Sequence, residues 1–396
     1  MRTPIRAVLA AAILTACTPA TRKPDTTELD GILRAAVDAK QTPAVVAMAA
    51  TNDSVIYQGA VGVPMDAIFA IASMTKPVTS VAVMQLVEAG KVQLDEPVHT
   101  YLPELRTIQV LDGGALRAPK SPPTVRHLLS HMSGFAYEFF NPAIAEQVKA
   151  GKVASAFKPT DEFLRAPLVF DPGTRWEYGI STDWLGKLVE AVSGQTLDQY
   201  FRASIFEPLG MSETYFIVPP DKAGRLAPQY AKQPDGSFVV VPRETQPPPT
   251  FFSGGGGLYS TASDYLRFER ALLAGGELDG RRILKAETVA LMGQDQLGTV
   301  TMPPFATLNP QVVASNVALP GNVDGFGLGF ALNRRPVEAG RGVGTMSWAG
   351  IFNTYFWIDR EKGVCGVVLT QWLPFGSADA TELVEDFARA VYRVAR

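Results

Sequence analysis

Apolar residues along this chain recur with two different periods. From Glu28 to Lys40 ("ELDGILRAAVDAK") the spacing is helical. "PAVVAMAA" and "DSVIYQGA" then read as two strands joined near Asn52 and Asp53, a hairpin. "VTSVAVMQLV" continues as an apolar, buried helix that should stop at Gly90, a good C-terminal cap. From about Lys91 to Pro249, helical stretches such as "TDWLGKLVEAVSG" and "TLDQYFRASIFEPLG" are separated by the proline-rich breaks "KSPPT", "VPPD" and "QPPPT". Thr160 opens what reads as a short amphipathic helix in "TDEFLRAP". Strand-like runs return in "GFGLGFAL", "NTYFWID" and "GVCGVVLT". The chain closes on "ATELVEDFARAVYRVA", with Leu383, Phe387 and Val391 along one helix face.

Strands therefore sit at both ends of the sequence and helices in the middle. The fold class this predicts is α+β, an α/β sandwich. One antiparallel sheet is built from both chain ends and flanked by the terminal helices. Residues 28–396 form a single domain, with a sheet lobe of about 28–75 and 250–396 and a mainly helical lobe of about 76–249. A cleft between the lobes is the natural site.

Composition changes this picture in three respects. Of 396 residues, 46% are hydrophobic and 19% charged, enough for a sizeable core. The formal charge is −3 and no large basic block is present, which argues against a nucleic-acid partner. At the N-terminus, Arg2 and Arg6 precede an apolar run from Ala7 to Ala16 that is too short to span a bilayer and fits a secretory signal. The signal ends in Leu14-Thr15-Ala16-Cys17, which resembles a bacterial lipoprotein signal. The expectation is a signal peptide over 1–16, a lipidated Cys17, a linker over 17–27, and an exported protein anchored to the membrane by lipid alone, facing the periplasm. With Cys17 lipidated, Cys365 has no partner for a disulfide. It reads as a buried structural thiol in a strand.

The candidate chemistry centres on "FAIASMTKPVTS". One helical turn places Ser73 and Lys76 on the same face, so the amine can reach the hydroxyl. A serine hydroxyl is a weak nucleophile without such a base. The N–H groups of a helix start favour an acyl-transfer oxyanion, and Pro77 is tolerated in the first turn. Ser-x-x-Lys is a weak signal by itself, and a second copy occurs at Ser155 to Lys158, in a connector. No Gly-x-Ser-x-Gly is present, which argues against a nucleophile elbow. His127 and His131 are four apart but lack a His-Glu-x-x-His pattern, so packing is the better reading than a metal site. The Ser253 to Gly257 run ("SGGGG") lacks the lysine of a phosphate loop and reads as a place of close backbone approach.

Taken with "TVRHLLSHMSG", "FDPGTRWEYGISTDWLG" and "FFSGGGGLYSTASDYLRF", the Ser73 segment resembles the serine β-lactamase and penicillin-binding-protein superfamily. It looks most like the family VIII carboxylesterases related to class C β-lactamases. The resemblance implies Ser73 as nucleophile with Lys76 and, in "WEYGIS", Tyr178. A tyrosinate between a lysine ammonium and the serine is a competent base, because the cation stabilises the phenolate. It also implies an oxyanion hole from the amides of Ser73 and Ile351, and neither metal nor cofactor. Two departures bear on the substrate. Ile180 stands where the tyrosine motif normally has asparagine. Trp348-Ala349-Gly350 replaces a Lys-Thr-Gly whose lysine helps hold a substrate carboxylate. Both make the cleft more apolar, so Ile180, Trp348, Ala349 and Gly350 are expected substrate contacts and an uncharged, short-chain ester the expected small-molecule substrate. A β-lactamase or D-Ala-D-Ala carboxypeptidase, an acyltransferase and a non-catalytic binding protein are the alternatives. The oligomeric state is left open.

Overall fold

The computed structural model describes residues 25–243, 249–315 and 317–395. The expected signal peptide, Cys17 and most of the linker lie outside them. Among the described residues, no helix is long and apolar enough to cross a membrane.

The five main helices are α1 (Thr27–Asp38), α2 (Thr75–Glu88), α3 (Ser181–Ser193), α4 (Ala262–Leu273) and α5 (Ala378–Val394). The central sheet contains β1 (Val45–Thr51), β2 (Val55–Val61), β3 (Gly325–Phe326), β4 (Ala331–Leu332), β5 (Met346–Gly350), β6 (Thr354–Asp359) and β7 (Val364–Leu369). Its order is β3-β4-β5-β6-β7-β1-β2, antiparallel throughout. The first hairpin thus joins the C-terminal strands through β1 and β7, with Val46 opposite Leu369 and Thr51 opposite Val364. This is the α+β architecture that the apolar pattern predicts, and the β-lactamase-like fold that the resemblance implies.

Side-chain alternation explains how the sheet is covered on both faces. On β6, Phe356 points to α4, its ring 5.2 Å from that of Tyr265. Its neighbour Trp357 points the other way, 6.1 Å from Phe387 on α5. The terminal helices α1 and α5 pack together on that second side. With both faces buried, β5, β6 and β7 read as nearly continuous apolar runs instead of alternating ones. Cys365 is a buried free thiol on β7, as the sequence predicts.

Helix α2 runs through the centre of the molecule. Val78, Val81, Ala82, Val83 and Met84 are fully buried, and each large apolar side chain contributes about 1.5–3 kcal/mol on leaving water. Thr79 and Ser80 are buried as well, and both hydroxyls have backbone acceptors. Thr79 donates to the Gly254 carbonyl at 2.7 Å and Ser80 to the Lys76 carbonyl at 2.9 Å. The helix ends at Ala89, with Gly90 in the left-handed conformation that closes it.

Three expectations are corrected. "GFGLGFAL" is not one strand but the hairpin of β3 and β4, because Gly329 turns at φ +94° and the Gly327 amide donates to the Phe330 carbonyl. The stretch after Thr160 is a 3₁₀ turn, Glu162–Arg165, with no side-chain cap. The middle of the chain also holds two small hairpins, Val110–Asp112 with Ala115–Arg117 and Gln229–Lys232 with Phe238–Val241.

Candidate active site

Ser73 lies in a 3₁₀ turn, Ala72–Met74, that leads directly into α2. Ala72 has φ +44°, a conformation that costs a residue with a Cβ about 1–2 kcal/mol. Strand β5 comes down on this turn. A Cβ on Gly350 would sit 2.2 Å from the Ile71 carbonyl oxygen, so only glycine allows the strand to approach so closely.

The structure brings Ser73, Lys76 and Tyr178 together. The Tyr178 hydroxyl donates to Ser73 Oγ at 2.7 Å and Lys76 Nζ donates to the same oxygen at 3.3 Å. Lys76 is buried and makes two further bonds, to the Gly255 carbonyl at 2.7 Å and to the Tyr137 hydroxyl at 3.0 Å. Its ammonium also lies over the Tyr178 ring, 4.7 Å from the centroid.

Two residues that fix this lysine, one directly and one through a loop, were not singled out from the sequence. Tyr137 comes from the aromatic run "FAYEFF". Burial and the nearby Asp183 carboxylate push its hydroxyl well above the usual tyrosine range, so it stays protonated. Asp183 opens α3 and looks from sequence like an ordinary first-turn acid. It is buried, accepts from Ser253 Oγ at 2.6 Å and from the Gly255 amide at 3.0 Å, and so fixes the loop whose carbonyl faces Lys76. Burial raises its carboxyl, and the Lys76 charge works against that rise. Gly255 belongs to the glycine run, which does provide close backbone approach. A Cβ at Gly254 would lie 2.7 Å from the Thr182 carbonyl oxygen, and one at Gly255 would lie 2.3 Å from Asp183 Oδ2.

The cleft over Ser73 is small, about 40 Å³, and lined by Phe139, Phe140, Tyr178, Phe305, Val313, Leu319, Phe375 and the β5 segment from Trp348 through Ile351. No lining side chain is charged. Trp348 is buried, its ring edge-on to Tyr178 at 5.1 Å and to Phe326 at 5.4 Å. Trp348, Ala349, Gly350 and Ile351 thus border the same cleft as Ser73. Ile180 does not. It is buried at the start of α3 and is not among the lining residues, because the turn into the helix points it into the core. A larger concavity, about 490 Å³, lies beside α3 around Leu105, Leu164 and Trp184, away from the nucleophile.

The other candidates are dispersed. Ser155 donates to Glu138, so the second Ser-x-x-Lys copy forms no pair. His127 closes a capping box with Thr124. His131 is buried against Tyr178, Trp176 and Phe326. Burial and the Lys76 charge hold its imidazole neutral.

Relatives of known activity share this arrangement of chain. Lovastatin esterase of Penicillium rubens is 32% identical over 398 residues, covering 92% of this chain and 98% of that protein. Monacolin J acid methylbutanoyltransferase of Aspergillus terreus is 32% identical over 338 residues, 81% of each chain. The solved structure of EstCE1, described as a hydrolase with promiscuous acyltransferase activity, superposes with a TM-score of 0.73 at 25% identity, covering 93% of this chain and 98% of that one. The sequence profile of the family described as Beta-lactamase matches residues 29–389. With the fold and these relatives in agreement, the chain belongs to the beta-lactamase family, as a serine-hydrolase-fold enzyme that acts on ester and acyl groups.

Proposed function

We propose that this protein is an acyltransferase that also hydrolyses short-chain carboxylic esters, with Ser73 as the acyl carrier. The observation that carries the reading is a nucleophile bonded to both Tyr178 and Lys76 on the floor of a cleft with no charged lining. With its own proton first lost to solvent, Tyr178 beside Lys76 takes the Ser73 proton as Oγ attacks the ester carbonyl. The amides of Ser73 and Ile351 receive the oxyanion. Tyr178 then passes the proton to the departing alcohol, leaving the acyl group on Ser73. An incoming alcohol or water gives a proton back to Tyr178 and carries the acyl group away.

Apolar walls favour an organic alcohol over water at the second step, because they offer water few partners to hold it. The cleft's mouth continues this character. Phe157 is 60% exposed and packs 5.2 Å from Phe139, which lines the cleft. The relatives support acyl transfer more than simple hydrolysis, and the apolar Trp348 favours an uncharged ester over an anionic lactam or peptide. This is the family VIII type of site with its chemistry tilted toward transfer.

The test uses p-nitrophenyl butyrate with and without 2-phenylethanol, following both p-nitrophenol release and the transfer ester by chromatography. Transfer ester should exceed free butyrate at saturating alcohol, and Ser73→Ala should abolish both products. Butyrate as the dominant product under those conditions would leave a plain esterase. Rapid turnover of nitrocefin at the expense of esters would favour the lactamase alternative.

A further inference from the structure

We infer that Tyr137 is a positioning residue that holds the Lys76 ammonium beside Ser73 throughout the reaction. The inference rests on the Ser73–Lys76–Tyr178 reading above and deepens it. An ammonium has three N–H donors, and Lys76 has three acceptors, the Gly255 carbonyl, the Tyr137 hydroxyl and Ser73 Oγ. These acceptors are not equivalent. The Gly255 carbonyl belongs to the backbone and is fixed through Asp183. Ser73 Oγ becomes an ester oxygen, a weaker acceptor, once it carries an acyl group. Tyr137 is the side-chain acceptor that the reaction leaves untouched, so it must hold the ammonium through the acyl-enzyme stage. Without it, a buried ammonium keeps an unpaired N–H.

The charged and titratable groups around this pair are few. Lys76 is faced by Tyr178, Tyr137, Asp183 and His131, the last held neutral by burial. Tyr137 is faced by Asp183, Tyr178 and Glu138, which together with burial keep its own proton in place. The hydroxyl is therefore a fixed dipole with its oxygen toward the lysine. Its removal leaves one N–H of the buried Lys76 without an acceptor.

Tyr137→Phe keeps the ring that stacks on Phe139 at 4.8 Å and removes only the hydroxyl. A second variant carries 3-fluorotyrosine at position 137, which keeps the shape and weakens the acceptor. The kcat and KM of p-nitrophenyl acetate hydrolysis are measured for both, with thermal midpoints as the folding control and Ser73→Ala alongside. For Tyr137→Phe kcat should fall about tenfold, the scale of one charge-assisted hydrogen bond. KM should stay within about twofold, because Tyr137 does not line the cleft. The fluorinated protein should lose kcat in the same way by less. Folded variants whose kcat stays within about twofold of wild type would reduce Tyr137 to a packing residue and overturn the inference. Full activity in Ser73→Ala would instead remove the nucleophile assignment, and this inference with it.

Discussion

Glu269→Gln tests whether the core stores a proton. Glu269 lies on α4, is fully buried, and neither carboxylate oxygen has a hydrogen-bond partner of normal geometry. The Cys365 thiol across the interface is a weak donor and offsets little. Burial pushes the carboxyl well above its ordinary value of 4.5, since an unpaired carboxylate in the core would cost several kcal/mol. The folded protein keeps this proton while the unfolded chain releases it above about pH 4.5. The stabilisation is complete below that pH and is lost as pH rises toward the folded value, at about 1.4 kcal/mol per unit. Glutamine has no such titration. Above about pH 5, wild-type stability should therefore fall relative to Glu269→Gln as pH rises. Urea unfolding at about pH 5, 6 and 7, followed by tryptophan fluorescence, measures the gap. Glu269→Met, of similar volume and without a polar atom to desolvate, should show the same pH trend and higher stability than glutamine at every pH. Parallel pH dependences for wild type and both variants would refute the buried proton.

Trp348→Ala should cost about 3–5 kcal/mol of stability and open the cleft, raising the kcat/KM ratio for octanoate over acetate esters by about tenfold or more. An unchanged ratio would free Trp348 of any role in acyl size. Gly350→Ala puts a Cβ 2.2 Å from the Ile71 carbonyl oxygen, so β5 must retreat from the nucleophile. A fall of about 100-fold in kcat with a modest change in KM is expected, and near-normal turnover would show that the close approach is dispensable. Ser155→Ala should leave kcat/KM within about twofold, because the Ser155 hydroxyl is engaged with Glu138 and not with the Lys158 amine.

The elements legible in the sequence are those whose burial is regular. The α1 and α5 faces follow helical apolar periodicity, and the β1–β2 hairpin and the runs that became β6 and β7 stand out as short apolar segments bounded by turns. The pattern failed where glycine conformation decides the path. Gly327 and Gly329 fold an apolar run back on itself. Gly113 and Gly114, both at positive φ, turn the small hairpin after Val110, and this is a turn signal the sequence does carry. At the site, Ser73, Lys76 and Tyr178 are brought together, their two motifs being recognisable locally. Tyr137 and Asp183 were missed because nothing local distinguishes an aromatic in an aromatic run or an acid in a first turn. Their importance comes from facing Lys76 across the fold. Ile180 was misplaced because motif spacing does not say which way a helix-start side chain points.

The Gly255 carbonyl has one more consequence. An acceptor supplied by the main chain cannot be deleted by changing the side chain at its own position, so the strongest tether of Lys76 has no corresponding knockout. Substitution there acts through bulk, by driving a Cβ against Asp183. In a saturation screen of Gly254 and Gly255, tolerance should therefore track side-chain volume and be indifferent to polarity. This part of the site would be invisible to any search that equates function with functional groups.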